Sequence, residues 1–226
     1  MTRRRTLIFL FLACFQISSW GENEFKSYLS NDGFSRLQAH YQGQGKQKEQ
    51  INYYFDTAEP HPFLLLENGI DLRLRQSGDK AVLTVKDCHQ VNFGILRLAF
   101  PPGAPSGPTR DLDEYEVEFP EGRELLDQVL SDPSRLFDVP FQGGNFTTEN
   151  RIHPIAFLSQ KLAAGLLLPD GRLSPVGIGS LRCLGKSRTL RTKIPITLAG
   201  TKLILELDRT DYPRGYVGYE LEMEVP

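Results

Sequence analysis

Charges of one sign recur at every second position in several segments of this chain, and that pattern limits its fold more than any other feature. In a β-strand, residues i and i+2 share a face. Leu72 and Leu74 alternate with Arg73 and Arg75, Leu203, Leu205 and Leu207 with Glu206 and Asp208, and Tyr219, Leu221 and Met223 with Glu220, Glu222 and Glu224. Glu114, Glu116 and Glu118 share a face in E-Y-E-V-E-F, as do Glu22, Glu24 and Lys26 in E-N-E-F-K. One such strand would be an ordinary half-buried strand with a wet polar side. Three that stack acids and one that stacks arginines need more, because like charges at this spacing repel unless something neutralises them. Turning those faces inward is costly without a ligand that is itself highly charged. A metal–polyphosphate complex is such a ligand: Mg²⁺ takes carboxylate and phosphate oxygens in octahedral geometry, and Arg and Lys take the remaining phosphate charge.

The rest of the chain supports a strand-rich reading. Strands are predicted at Gln50–Asp56, Ile70–Gln76, Ala81–Asp87, Asn92–Phe100, Leu112–Phe119, Ile178–Leu184, Ser187–Leu198, Lys202–Asp208 and Gly215–Val225. Ser77-Gly78-Asp79-Lys80 signals a hairpin, and Ala199-Gly200 a turn. Asn31-Asp32 can cap a short helix over Gly33–Tyr41, and apolar residues at spacings of three and four predict helices within Glu121–Leu130 and Ile155–Leu166. The expected class is α+β, mainly β: a closed antiparallel β-barrel tunnel of about eight strands with a few flanking helices. At 226 residues and 40% apolar content, one large domain over 22–226 is expected.

Several function classes are disfavoured. Twenty-six basic residues against 28 acidic ones produce no field that would gather nucleic acid or an anionic membrane, so any anion site must be local. Cys14, Cys88 and Cys183 form no Cys-x-x-Cys pair, which argues against a zinc site or a disulfide framework. His40, His61, His89 and His153 are scattered and suggest no nucleophile–base constellation. Arg3, Arg4 and Arg5 before the apolar run Thr6–Phe15 have the layout of a secretory signal, too short for a comfortable membrane span, and 1–21 reads equally as an over-extended start. Export is expected in the first case and a cytoplasmic location in the second; oligomeric state is not readable.

In combination, the motifs resemble the CYTH superfamily of triphosphate tunnel metalloenzymes, which includes thiamine triphosphatases, inorganic triphosphatases and class IV adenylate cyclases. The resemblance rests on E-x-E-x-K at Glu22, Glu24 and Lys26, Y-F-D-T at Tyr54–Thr57, L-R-L-R at Leu72–Arg75, L-T-V-K ending at Lys86, and L-x-L-D followed by Y-E-L-E at Glu220–Glu222. It implies metal-binding roles for Glu22, Glu24, Glu206, Glu220 and Glu222, and triphosphate contacts from Lys26, Arg73, Arg75, Lys86 and Arg188, with Glu114 as the acid of the strand before the helical insertion. Asp208 is assigned a structural role, and Glu116, Glu118 and Glu224 stand between tunnel lining and solvated rim.

The resemblance implies Mg²⁺-dependent hydrolysis, with Mn²⁺ as the alternative metal and a small-molecule triphosphate as the partner. Class IV adenylate cyclase chemistry and non-catalytic polyphosphate or nucleotide binding are the rival readings. Two departures bear on these. The chain ends at Pro226, where the family usually continues into a C-terminal helix. The Trp that vertebrate-type thiamine triphosphatases carry just before the tunnel arginines is here Asp71.

Overall fold

The computed structural model describes residues 23–58, 61–90, 110–120, 122–137, 145–146, 152–168, 170–198 and 200–225. The predicted strand Asn92–Phe100 and Glu22 lie outside these residues, as does the leader.

In chain order the elements are β1 (Asn23–Tyr28), α1 (Asn31–His40), β2 (Lys46–Thr57), α2 (Leu64–Glu67), β3 (Ile70–Ser77), β4 (Lys80–Gln90), β5 (Arg110–Phe119), α3 (Arg123–Ser131), β6 (Asn145–Phe146), α4 (Pro154–Ala164), β7 (Leu166–Leu167), β8 (Leu173–Ser174), β9 (Leu181–Leu198), β10 (Thr201–Asp211) and β11 (Val217–Val225). Nine strands form one antiparallel sheet in the order β1-β11-β10-β9-β2-β3-β4-β5-β6, while β7 and β8 pair separately. The hairpin between β3 and β4 turns at Gly78, whose φ of 63° lies in the left-handed region that a residue without Cβ enters at no steric cost. The two late strands expected at Ile178–Leu184 and Ser187–Leu198 are one long strand, β9, entered through a 3₁₀ turn at Ile178–Ser180.

The expected closed barrel is corrected. Among the described residues the sheet is curled but open, with β1 at one edge and β6 at the other and no pairing between them. Closure needs two edge strands that can form a continuous ladder at a consistent stagger. Among the described residues the β6 edge offers Asn145 and Phe146, too few for such a ladder. Alternating charge and apolarity report how each strand divides between two faces, but not whether the outermost strands meet.

The apolar face carries the core. Phe55, Leu72, Leu74, Leu83, Val85, Tyr115 and Val117 of β2 to β5 pack under Leu65 of α2, Leu126 and Val129 of α3, and Ile155, Leu158 and Leu162 of α4. Tyr115 and Phe157 stack with ring centroids 4.1 Å apart. A second cluster places Phe34 of α1 over Ile194, Leu205, Leu207 and Leu221 of β9 to β11. α1 is capped by the Ser30 hydroxyl, which accepts from the Gly33 amide at 3.1 Å. Gly122, at the start of α3, approaches β4 so closely that a Cβ there would lie 2.3 Å from that of Ala81. The helices therefore cover one side, and the alternating charges of β3, β5, β10 and β11 are left on the other.

The Y-F-D-T motif serves this packing. Asp56, fully buried, accepts hydrogen bonds from the amides of Thr57 (2.7 Å), Leu65 (2.8 Å) and Leu66 (3.0 Å) and from the Thr57 hydroxyl (3.3 Å). The Thr57 hydroxyl oxygen also accepts from the Leu64 amide at 2.9 Å. Together they fasten the four-residue α2, whose preceding residue Phe63 has φ 66°, to the end of β2.

Candidate functional site

Across the sheet, the sign of the polar face changes twice. Directly opposed residues of antiparallel strands share a face, so the pairing register places each charge. At one side Glu222 opposes Glu206, Glu220 opposes Asp208, and the edge strand sets Lys26 opposite Glu222 and Glu24 opposite Glu224. The middle is basic: Arg191 opposes both Asp208 and Lys48, Lys193 opposes Glu206 and Lys46, and Arg73 and Arg75 follow on β3 opposite Tyr54 and Asn52. Beyond them Thr84 opposes Glu116, Val82 opposes Glu118, and Lys86 opposes both Asp71 and Glu114. A strip of cations on β9, β2 and β3 thus lies between an acidic arm on β10 and β11 and another on β5.

Arg191 is the hub of the first boundary. Its guanidinium donates to Asp208 through Nε (2.9 Å to Oδ1) and Nη2 (2.6 Å to Oδ2), donates to Glu222 through Nη2 at 2.9 Å, and pairs with Glu206. Lys193 pairs with the second oxygen of Glu206, whose side chain is 2% exposed. Burial opposes the charge on Arg191, but the Asp208 hydrogen bond and the charges of Glu222, Asp208 and Glu206 outweigh it and hold its pKa above the ordinary guanidinium value. Burial raises the pKa of Asp208, with Glu222 and Glu206 adding to the rise and Arg191 opposing it.

The second boundary is looser. Arg73 and Arg75 approach Oε1 of Glu116 at 3.8 and 4.0 Å, and that oxygen accepts from the Thr84 hydroxyl at 2.6 Å. Arg75 also donates to the side-chain oxygen of Asn52 at 3.3 Å. Between the boundaries, Lys48 has its pKa lowered by partial burial and by the nearby charges of Arg75 and Lys193. Cations that repel one another in this way gain from an anion placed among them.

The structure brings together Arg73, Arg75, Lys86, Glu206, Glu220 and Glu222 on the polar face. For Lys26, Glu24 and Glu114 the register gives the same face. Arg188 stands apart: it is exposed on the opposite side of β9 and forms a bidentate pair with Glu49 at 2.7 and 2.8 Å. Sequence reasoning missed Arg191, Lys193 and Lys48. The signal was present in R-T-L-R-T-K-I-P-I, because Ile194 and Ile196 share parity with Arg188 and mark the core side, leaving Arg191 and Lys193 for the polar one. Asp208 does not end its strand, since β10 continues to Asp211, and Glu116 lies between Arg73, Arg75 and Thr84.

The acidic arm has the donor chemistry of a hard divalent cation, namely carboxylate oxygens alone. Three of its carboxylates meet at one guanidinium, so the position is already shaped around positive charge. Among the described residues, no three His, Cys, Asp or Glu side chains are gathered about a metal-sized point, and Arg191 stands where Glu206, Asp208 and Glu222 converge.

Comparison with known proteins identifies the family. The CYTH domain family model matches residues 21–226. The Hippeastrum protein HpAC1, a candidate adenylyl cyclase that reveals a dominant triphosphatase activity, is 24% identical with a TM-score of 0.57, over 89% of this chain and 78% of that one. A candidate adenylate cyclase from Bacillus halodurans is 20% identical with a TM-score of 0.49, over 90% of this chain and 80% of that one. No curated protein sequence matches. The family match extends over the whole charge-alternating sheet, from the E-N-E-F-K strand to the final acidic one, and on that evidence the chain belongs to the CYTH domain family.

Proposed function

We propose that this protein hydrolyses a triphosphate with the help of a divalent cation, and that inorganic tripolyphosphate is at least as good a substrate as thiamine triphosphate or ATP. The observation that carries the reading is the cationic strip of Arg191, Lys193, Lys48, Arg73 and Arg75 on three adjacent strands, with acids on either side. Such a strip matches a compact polyanion, and the acids beside it match the cations that accompany one.

Phosphoryl transfer asks of a protein chiefly that it position the phosphates and stabilise charge developing on the transferred group. Arg73 and Arg75 supply planar donors that can grip phosphate oxygens in pairs, while Lys48 and Lys193 supply point charges. Glu206, Glu220 and Glu222 would hold the cation, with Glu22 and Glu24 of the E-N-E-F-K motif completing the set. When bound, that cation neutralises phosphate charge and lowers the pKa of a coordinated water. Mg²⁺ is the proposed metal and Mn²⁺ its substitute.

The preference for tripolyphosphate rests on Asp71 and on the packing of Tyr54, the ring that opposes Arg73. Asp71 occupies the position where a stacking residue would be expected. Tyr53 packs against the large core, and Tyr54 packs against Phe63 and Leu66. Tyr216, 38% exposed, remains as a competing platform. Phosphate release from tripolyphosphate, thiamine triphosphate and ATP, compared as kcat/KM at one Mg²⁺ concentration, tests this. A tenfold preference for thiamine triphosphate, about 1.4 kcal/mol, would overturn the substrate order, and cyclic AMP formation from ATP would favour the cyclase reading.

Glu22→Gln and Glu24→Gln are each expected to abolish metal-stimulated turnover while leaving the far-UV circular dichroism unchanged, because each removes one carboxylate charge from a site built of carboxylates. Metal stimulation that persists in both variants would remove the E-N-E-F-K motif from the site.

A further inference from the structure

The hub at Arg191 has a property that the proposed hydrolysis does not require. Glu206 forms an ion pair through each oxygen, one with Arg191 and the other with Lys193, and the oxygen on the Lys193 side accepts no hydrogen bond. Arg191 also bridges Asp208 at 2.6 Å and Glu222 at 2.9 Å. Glu206, Asp208 and Glu222 are buried residues, so without these cations three carboxylates would face one another away from water. A divalent cation held by Glu206, Asp208 and Glu222 would stand where the Arg191 guanidinium now stands. Cation and guanidinium, like in charge, therefore compete for one position among the carboxylates, and what one gains by binding weakens the hold of the other.

We propose that Arg191, seconded by Lys193, is a tethered counter-cation: it holds the acidic arm together in the metal-free protein and yields its carboxylates when a divalent cation binds. The inference rests on the proposed function only in taking Glu206 and Glu222 as metal ligands. Arg191 is in this sense a positioning residue, setting the threshold cation concentration at which the arm loads. Lys193 is the more readily released, since its side chain is 47% exposed against 17% for Arg191. The vacated guanidinium stays on the polar face beside Lys48, its register partner, within the strip that would receive the anion.

The test uses Mn²⁺ alone, without phosphate, and reads the free ion by electron paramagnetic resonance. Arg191→Gln keeps hydrogen-bonding capacity and removes the charge. It is expected to bind Mn²⁺ at least tenfold more tightly than the wild type, since deleting a unit charge roughly 6 Å from a dication is worth about that factor even at the dielectric of water. Its thermal midpoint should fall in metal-free buffer and recover with Mn²⁺ by more degrees than the wild type gains. Lys193→Gln, at a more exposed position, should shift affinity in the same direction by less and guards against loss of fold in the first variant. Mn²⁺ affinity that is unchanged or weaker in both folded variants overturns the competition and leaves the proposed hydrolysis standing. Wild-type protein and variants that all fail to bind Mn²⁺ overturn both.

Discussion

Replacing Arg73 and Arg75 together with alanine is expected to weaken tripolyphosphate binding by about 3–6 kcal/mol, roughly two to four orders of magnitude in affinity. Each arginine is taken to make one or more charge-assisted hydrogen bonds to phosphate, worth about 1.5–3 kcal/mol apiece. Glu116, at 3.8 and 4.0 Å from the two guanidiniums, keeps its closer bond from Thr84 in the variant, while Asn52 loses the bond from Arg75. The alternating Leu72 and Leu74, which hold β3 in the core, are untouched, so circular dichroism and thermal midpoint should change little. Calorimetric titration with tripolyphosphate reads the effect. Affinity preserved in the double variant would place the anion outside the strip, and a loss from one arginine alone would narrow the contact to that residue. Because the two side chains share Glu116 as a neighbour, their effects need not add.

Asp56→Ala is expected to destabilise the protein by about 3 kcal/mol at neutral pH, a large fraction of the total stability of an ordinary domain. The variant leaves the amides of Thr57, Leu65 and Leu66 without their acceptor in a buried setting. It also frees α2 from the end of β2 and so loosens Leu64 and Leu65 in the main core. The effect should depend on pH with a defined sign. Burial pushes the Asp56 pKa from 3.8 up to about 6, against the four donated hydrogen bonds that lower it. Between these values the folded protein binds more protons than the unfolded chain, so stability from this group falls as pH rises through the window. The deficit of Asp56→Ala relative to wild type should therefore be larger at pH 4 than at pH 7, by about 2 kcal/mol. Urea unfolding of both proteins at the two pH values measures it, and a deficit that grows towards neutral pH would show the hydrogen bonds, not burial, to dominate.

Much of this architecture was legible in the sequence because strand alternation has a period of two and survives any tertiary context. The β3–β4 hairpin, its turn residues and the division of Leu72–Arg75 between core and polar face follow directly from L-R-L-R and the S-G-D-K connection. Topology at the edges was not legible. Whether β1 can reach the far strand depends on accumulated twist and stagger over nine strands, quantities that no single segment encodes. Within the site, the error at β9 has a specific cause. Arg188 and Arg191 are three residues apart and must point to opposite sides of a strand, so choosing the first by motif forfeited the second, although Ile194 marked the core side. The end of β10 was placed three residues early, at Asp208, because R-T-D after it carries no apolar alternation. Lys48 carried no local signal at all: its significance comes from standing opposite Arg191 and near Arg75, residues remote in the chain.

The twofold change of sign across the polar face also bears on which anions could settle there at all. A short polyphosphate spans only the basic strands, and its attendant cations meet the acids on either side. A long polymer of phosphates would have to cross from Arg73 and Arg191 onto the carboxylates of β5 or of β10 and β11, where each further phosphate meets repulsion instead of a partner. The flanking acids would therefore act as a ruler, rejecting by length what the arginines would accept by charge.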